Sequence, residues 1–339
     1  MSESAPTSRR PLVKRLGITV VTVGALLAGG TAALEHEERQ LVFRVVHDAA
    51  SWYSGLPDGV QEFDLPVTRA ADAQHIHAWW WPAANPHAPA VLYLHGARWN
   101  LTGQVFRLEQ LREFGFSVLA IDYRGFGKSD GELPSEQTVY EDGHAAWEWL
   151  AKQQPDPAKR FIYGHSLGGA VAVDLAASLS RDSDRSLPDA ASNGSGSEVT
   201  TPVNKTRRQG SPAAGLIIES TFTTLADVAK EFSYPWLPIG LLLSQKFDSM
   251  SKMAEVKMPV LVVHGASDRY IPSRFSQALY AAASGPKRLL LVEGATHNNS
   301  MLAGAEEYRR ALADLFGLGA QAAARVGARG AIRRGHAKG

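Results

Sequence analysis

The sequence predicts an α/β fold, with an eight-stranded, mainly parallel sheet, helices on both faces and a small cap, and three observations carry that expectation. From Val60 onward, short apolar runs rich in branched residues alternate with stretches of helical periodicity, the pattern of βαβ units. One run, Phe161-Ile162-Tyr163-Gly164, breaks at His165-Ser166-Leu167-Gly168-Gly169 directly into the helical Ala170-Val171-Ala172-Val173. Two later runs end in polar loops, the first carrying Asp268 and the second His297, at the carboxyl edge where open α/β sheets assemble their sites.

The bulk composition permits such a fold and narrows its partners. The 339 residues, 45% hydrophobic and 20% charged, suit one large domain better than several small ones. A net charge of +1 exerts no pull toward nucleic acid, and none is expected as a partner. With no cysteine in the chain, disulfide scaffolds, thiol nucleophiles and Cys-ligated zinc are excluded.

In chain order, residues 1–39 come first. Leu16 to Leu34 carries no charge over 19 residues, follows Arg9, Arg10, Lys14 and Arg15, and precedes Glu35, Glu37 and Glu38. That run is long enough to span a bilayer core, and the basic flank places the rest of the chain outside the cytoplasm, so a single N-terminal membrane anchor is expected. The alternative is a secretory signal cleaved near Gly30-Thr31-Ala32, with a buried soluble helix as a third reading.

The globular domain is expected over residues 40–317. Strands are read at Val60 to Val67, Gln74 to Trp81, Ala90 to His95, Phe116 to Asp122, Arg160 to Gly164, Gly215 to Glu219, Val260 to His264 and Arg288 to Glu293. No helix separates the first two, so they form an antiparallel hairpin leading into the parallel part. Ser180 to Ser211 is dense in Ser, Asp, Asn, Gly and Thr without periodicity, and reads as a disordered surface insertion. Residues 318–339 hold Arg325, Arg329, Arg333, Arg334 and Lys338 with no acid, and read as a solvated basic tail.

The strand–turn–helix at Gly164 to Gly168 is where chemistry is expected. A turn that abrupt strains the backbone of Ser166, and the flanking glycines remove the side chains that would clash. The hydroxyl is thereby exposed, with the N-terminal end of a helix aimed at it. Serine is a poor nucleophile near neutral pH and needs a base held by an acid. His297 is the expected base and Asp268 the acid that orients it, in the order Ser, Asp, His; Glu219, ending another strand, is the rival acid. The backbone N–H of Leu167 is the expected oxyanion donor. His95, His165 and His264, each beside a glycine or strand end, are read as packing or positioning residues.

The strings His95-Gly96-Ala97, Asp122 to Gly131, Gly164 to Gly168, Phe247-Asp248-Ser249, His264 to Asp268 with Ile271-Pro272, and Gly294 to Asn298 are similar to those of the α/β-hydrolase superfamily. Within it, the chain resembles the membrane-anchored serine esterase branch that includes acylglycerol and lysophospholipid hydrolases and depalmitoylases. The resemblance spans about residues 40 to 317 and implies the α/β-hydrolase fold, a serine hydrolase, no metal or organic cofactor, and a second oxyanion donor at the backbone N–H of Ala97. It also implies that Arg124 and Asp130 brace loops rather than react. Two departures are the insertion at 180–211 and the bulky Arg98-Trp99 after the donor loop.

Residues 221–255, between the Glu219 and Val260 strands, correspond to a cap, and Phe232 to Leu243 is dense in aromatics and leucines that suit an acyl chain or a membrane interface. The expected reaction is hydrolysis of a carboxylic ester or thioester of a lipophilic small molecule or lipid. The competing readings are a serine peptidase of the same fold and a non-catalytic binding relative. An aspartate nucleophile, as in dehalogenases of this fold, is disfavoured by serine at position 166.

Overall fold

The computed structural model describes residues 30–67, 73–186, 213–232 and 239–318. Eight strands form one sheet: β1 (Gln61–Val67), β2 (Gln74–Trp81), β3 (Ala90–Leu94), β4 (Ser117–Ile121), β5 (Arg160–His165), β6 (Gly215–Glu219), β7 (Val260–Gly265) and β8 (Lys287–Val292). Their spatial order is β1-β2-β4-β3-β5-β6-β7-β8. β2 runs antiparallel to both neighbours, and every other pairing is parallel. The observed ends lie within about two residues of those read from the sequence, as fraying ends allow.

Around the sheet lie α1 (30–43), α2 (Val105–Glu113), α3 (Glu136–Gln153), α4 (Leu167–Ser186), α5 (Leu225–Phe232), α6 (Ile239–Leu242), α7 (Ser249–Met253), α8 (Ser273–Ala282), α9 (Ser300–Ala303) and α10 (Ala305–Phe316). Alternation along the strands sorts them onto two faces. Ala90, Leu92 and Leu94 of β3 pack with α3, α4, α7 and α8 through residues such as Trp147, Val171, Met253 and Leu279. Val91 and Tyr93 face the other way, toward Leu108 and Leu111 of α2 and Tyr308, Leu312 and Phe316 of α10. β3, β4, β6 and β7 are buried throughout and β5 at every residue but Arg160, which is why they read as continuous apolar runs.

Register places the functional loops. Leu94 lies beside Gly164, His165 beside Glu219, Glu219 beside Val263, and His264 beside Leu291. The parallel strands therefore end level, and the loops at 95–99, 166–167, 220–223, 266–272 and 293–299 leave one rim of the sheet.

Several sequence expectations meet the structure at their edges. α4 continues to Ser186, so the first seven residues of the stretch read as an insertion are helical. Local contacts explain the extension: Ser180 donates to the Ala176 carbonyl at 2.7 Å, and Arg181 and Asp184 pair with Glu255 and Lys257. The remainder of that stretch, residues 187–211, lies outside the described residues, as do 319–339 and most of Leu16 to Leu34. Among the described residues no helix is long and apolar enough to cross a membrane. Residues 30–34 open α1, whose Glu38 carboxylate accepts from the backbone N–H of Ser244 and Gln245 at 2.7 and 2.8 Å, fastening α1 beside the cap segment.

Candidate active site

Ser166 stands between β5 and α4 with φ +54°, the left-handed region that a non-glycine residue enters only at a cost of about 1–3 kcal/mol. Its neighbours hold it there. Its N–H donates to the Glu219 carbonyl at 2.9 Å, and its carbonyl accepts from Thr221 Oγ1 at 2.8 Å. A Cβ at Gly164 would meet the Gly168 carbonyl oxygen at 2.2 Å, and one at Gly168 would meet the Leu94 carbonyl oxygen at 2.1 Å. Both glycines are therefore demanded by backbone contact between β3, β5 and the first turn of α4.

The three residues singled out for chemistry come together. Ser166 Oγ and His297 Nε2 are 3.0 Å apart, and His297 Nδ1 and Asp268 Oδ2 are 2.7 Å apart. A carboxylate only accepts, so Nδ1 carries the ring proton and Nε2 is free to accept from the hydroxyl. Asp268 takes four donors: the backbone N–H groups of Tyr270 and Ile271 on Oδ1 at 2.8 and 3.0 Å, and His297 and His264 on Oδ2, the latter at 3.2 Å. Burial alone would raise its pKa, but the hydrogen bonds from His264 and His297 and the neighbouring imidazole outweigh that and hold the carboxyl well below the usual carboxylate range. His264 is itself fixed. Its Nδ1 lies 2.6 Å from Ser276 Oγ, and its Nε2 lies 2.8 Å from the Ile271 carbonyl and 3.2 Å from Asp268 Oδ2, so one N–H is shared between two acceptors.

The oxyanion donors read from the sequence also meet at this rim. Gly96 packs so close to the nucleophile that a Cβ there would lie 3.1 Å from Ser166 Cβ, and Ala97 follows it. Leu167 opens the 20-residue α4, whose positive end faces the serine. Among the described residues, neither the Ala97 nor the Leu167 N–H donates to a protein acceptor. Two free donors beside a part-buried hydroxyl can receive the negative charge of a tetrahedral adduct.

The other candidates have different surroundings. Glu219 is fully buried and engages Arg107 at 3.2 Å, Tyr163 OH at 2.5 Å and Tyr308 OH at 3.2 Å, with no bond to His297. His165 is buried, and desolvation, with Arg107 and His297 nearby, pushes its pKa well below the ordinary histidine value, so it stays neutral. His95 Nδ1 lies 2.6 Å from the Gly96 carbonyl, and its ring packs on Tyr123 and Phe126. Arg124 is held by Asp142 at 2.6 Å and Glu141 at 2.7 Å, and Asp130 accepts from the His75 N–H at 2.8 Å, so both tie loops to the scaffold. Sequence reading missed Ser276 and Arg107. Only Arg107 left a trace: Gln104, Arg107, Leu108 and Leu111 share one helical stripe, and a cation on an apolar stripe signals a buried role.

Among the described residues no group of three or more histidines and acids is arranged to hold a metal ion. A cavity of about 510 Å³ opens elsewhere, lined by Glu35, Glu136, Tyr140, Glu141, Asp174 and Gln245, and none of its walls belongs to the Ser166 site.

A model described as the alpha/beta hydrolase family matches residues 91–315. An uncharacterized protein of Mycobacterium tuberculosis is 34% identical over 289 residues, which cover 84% of this chain and 89% of that one. The lysophosphatidylserine lipase ABHD12 of Danio rerio is 29% identical over 240 residues, 66% of this chain and 55% of that one. An esterase of Pyrococcus furiosus shares the fold, with a TM-score of 0.54 over 80% of this chain and 99% of that structure at 19% identity.

Proposed function

The chain belongs to the alpha/beta hydrolase family, and from that premise we propose that it is a serine hydrolase that cleaves carboxylic ester or thioester bonds of lipophilic acyl substrates through an acyl-enzyme. The observation that carries this reading is the hydrogen-bonded row of Ser166, His297 and Asp268 beside the unpaired N–H groups of Ala97 and Leu167.

In the first stage Ser166 Oγ attacks the acyl carbon while His297 Nε2 takes the hydroxyl proton. The carbonyl oxygen becomes an oxyanion within reach of the two N–H groups, and Asp268 stabilises the imidazolium. As the adduct collapses, Nε2 delivers the proton to the departing alcohol or thiol. Water then enters, gives a proton to the same nitrogen and attacks the acyl-serine, and as the second adduct collapses Nε2 returns that proton to Ser166 Oγ and the acid departs. Each removal of a backbone-type oxyanion donor costs about 10²–10³ in rate, so the hole matters nearly as much as the base.

Two features support a lipophilic acyl group. The relative named as a lysophosphatidylserine lipase aligns over 66% of this chain. Phe232, Leu241 and Leu242 of the cap segment also stand largely exposed, as do Leu34 and Leu41 of α1, beyond what a soluble surface needs. Glu38 binds Ser244 and Gln245, so the exposed Leu34 and Leu41, each about one turn from it on the same helix, stand beside the cap segment.

Activity toward p-nitrophenyl esters is expected to rise from acetate to octanoate. A fully enclosed methylene is worth about 0.8 kcal/mol, so six further carbons raise kcat/KM by up to ~10³-fold. A sharp optimum at acetate removes the lipid pocket, and faster cleavage of a fluorogenic dipeptide amide than of any ester makes the protein a peptidase. We also infer a membrane anchor in Leu16 to Leu34, the run that ends in the first residues of α1, and that it sets the cap at a membrane surface. The full-length protein is then expected to stay in the pellet after a carbonate wash of membranes. Release of a chain lacking its first thirty or so residues would mean a cleaved signal instead.

A further inference from the structure

Beneath the Ser166 row lies a charged group for which the acyl-transfer steps have no use. Arg107 is 1% exposed and Glu219 0%, so both ions are removed from water. Such a pair adds little net stability, because desolvation cancels most of its attraction. Its location is more informative than its energy. Arg107 Nη1 donates to Glu219 Oε1 at 3.2 Å, while Nη2 reaches His165 Nε2 at 2.9 Å and the Asn298 carbonyl at 3.1 Å. His165 Nε2 also lies 2.9 Å from the His297 carbonyl, so that nitrogen stands between a donor, the guanidinium, and an acceptor on the loop of the base.

Each of those three partners is covalently next to, or directly bonded to, a reacting residue. His165 precedes Ser166 and Asn298 follows His297. Glu219 accepts the Ser166 N–H through its own carbonyl at 2.9 Å. The nucleophile and the base sit on separate loops, at the ends of β5 and β8, with β6 and β7 between them. One rigid fork of donors, mounted on α2, therefore spans the gap between the loops that carry Ser166 and His297. Glu219 is held in turn by Tyr163 and Tyr308, which anchors the fork to β5 and α10.

We propose that Arg107 is a positioning residue, which sets the Ser166 to His297 distance by clamping the turn before the serine and the carbonyl after the histidine, with Glu219 as its buried counter-charge. The role rests on Ser166 and His297 being nucleophile and base. It does not touch substrate, so it acts on kcat and leaves KM alone.

The test uses the full chain with p-nitrophenyl butyrate and a fluorophosphonate probe. Arg107→Met with Glu219→Gln removes both charges together and keeps the volume, so no ion is stranded. Its Tm is expected to stay within a few degrees of the parent, its KM within about twofold, and its kcat to fall by roughly 10²-fold, the cost of an ångström-scale misplacement. Probe labelling slows by the same factor. Arg107→Lys keeps the charge but offers a single point of donors that cannot span Glu219, His165 and Asn298, and its kcat is expected to drop by about tenfold. This variant is read independently should the double variant not fold. Parental kcat in a folded double variant, or in Arg107→Lys, overturns the clamp and leaves the fork a packing element. A parent protein that neither hydrolyses the ester nor reacts with the probe overturns the serine reading beneath it, a result distinct from an active parent with equally active variants.

Discussion

Ser166→Ala abolishes labelling by a fluorophosphonate and lowers kcat/KM on the best ester by about 10⁶-fold, the size of loss that removing a serine nucleophile produces in a serine protease. The expectation follows from what the hydroxyl does and does not bond. Its oxygen meets His297 Nε2 at 3.0 Å, while the strained backbone is held by the main chain and Thr221, through contacts that alanine preserves. Alanine has a Cβ in the same place, so the strain at φ +54° is carried over unchanged. The variant should therefore melt within a few degrees of the parent while losing its reaction. The residual rate, above that of water, reports the contribution of Ala97, Leu167 and binding alone. Labelling that survives the substitution moves the nucleophile elsewhere and removes the acyl-enzyme.

The strands and the rim were legible in the sequence because burial on both faces writes a continuous apolar run, and the end of such a run marks the rim. Val260 to Gly265 gave the position of Asp268 for that reason, while Lys287 to Val292, a half-buried edge strand, gave that of His297 through its run of leucines alone. The strained turn was legible because only glycine fits at 164 and 168, where backbone meets backbone. Pairwise side-chain choices were not. Nothing in the spacing says that His264 would turn its Nε2–H to Asp268, since the ring is aimed by Ser276 and Ile271, residues 12 and 7 positions further along. Nor does it say that Glu219, another acid at a strand end, would be claimed by Arg107 from 112 positions away. Two acids ended adjacent strands, and long-range partners decided which of them faces His297. The polar composition after Ser180 misled in a different way: seven residues, five of them Ser or Asp with weak helix propensity, remain helical because Ser180 returns its hydroxyl to Ala176 and because ion pairs tie Arg181 and Asp184 to the neighbouring Glu255 and Lys257.

Asp268→Asn should lower kcat by about 10⁴-fold with KM nearly unchanged, and the reason lies in how many donors the carboxylate receives. The two backbone N–H groups on Oδ1 cannot become acceptors, so the amide oxygen of asparagine must stay with Tyr270 and Ile271. Its NH₂ then replaces Oδ2 and faces the nitrogens of His297 and His264. His297 can relieve the clash of donors only by moving its proton from Nδ1 to Nε2, and Nε2–H points at Ser166 Oγ, where a lone pair is needed. The base is lost through its tautomer while the loop geometry stays in place, so substrate binding persists. Stability should respond to acid in a definite direction. The Asp268 pKa is depressed on folding, so its contribution is complete above the unfolded value of about 3.9 and is lost as pH falls through the lower folded one. Urea midpoints of the parent and of Asp268→Asn should therefore differ at neutral pH and converge only on acidification below about pH 4. A variant that keeps more than about a tenth of the parental kcat would show that His297 takes its orientation from another group, and Asp268 would then be a structural acid.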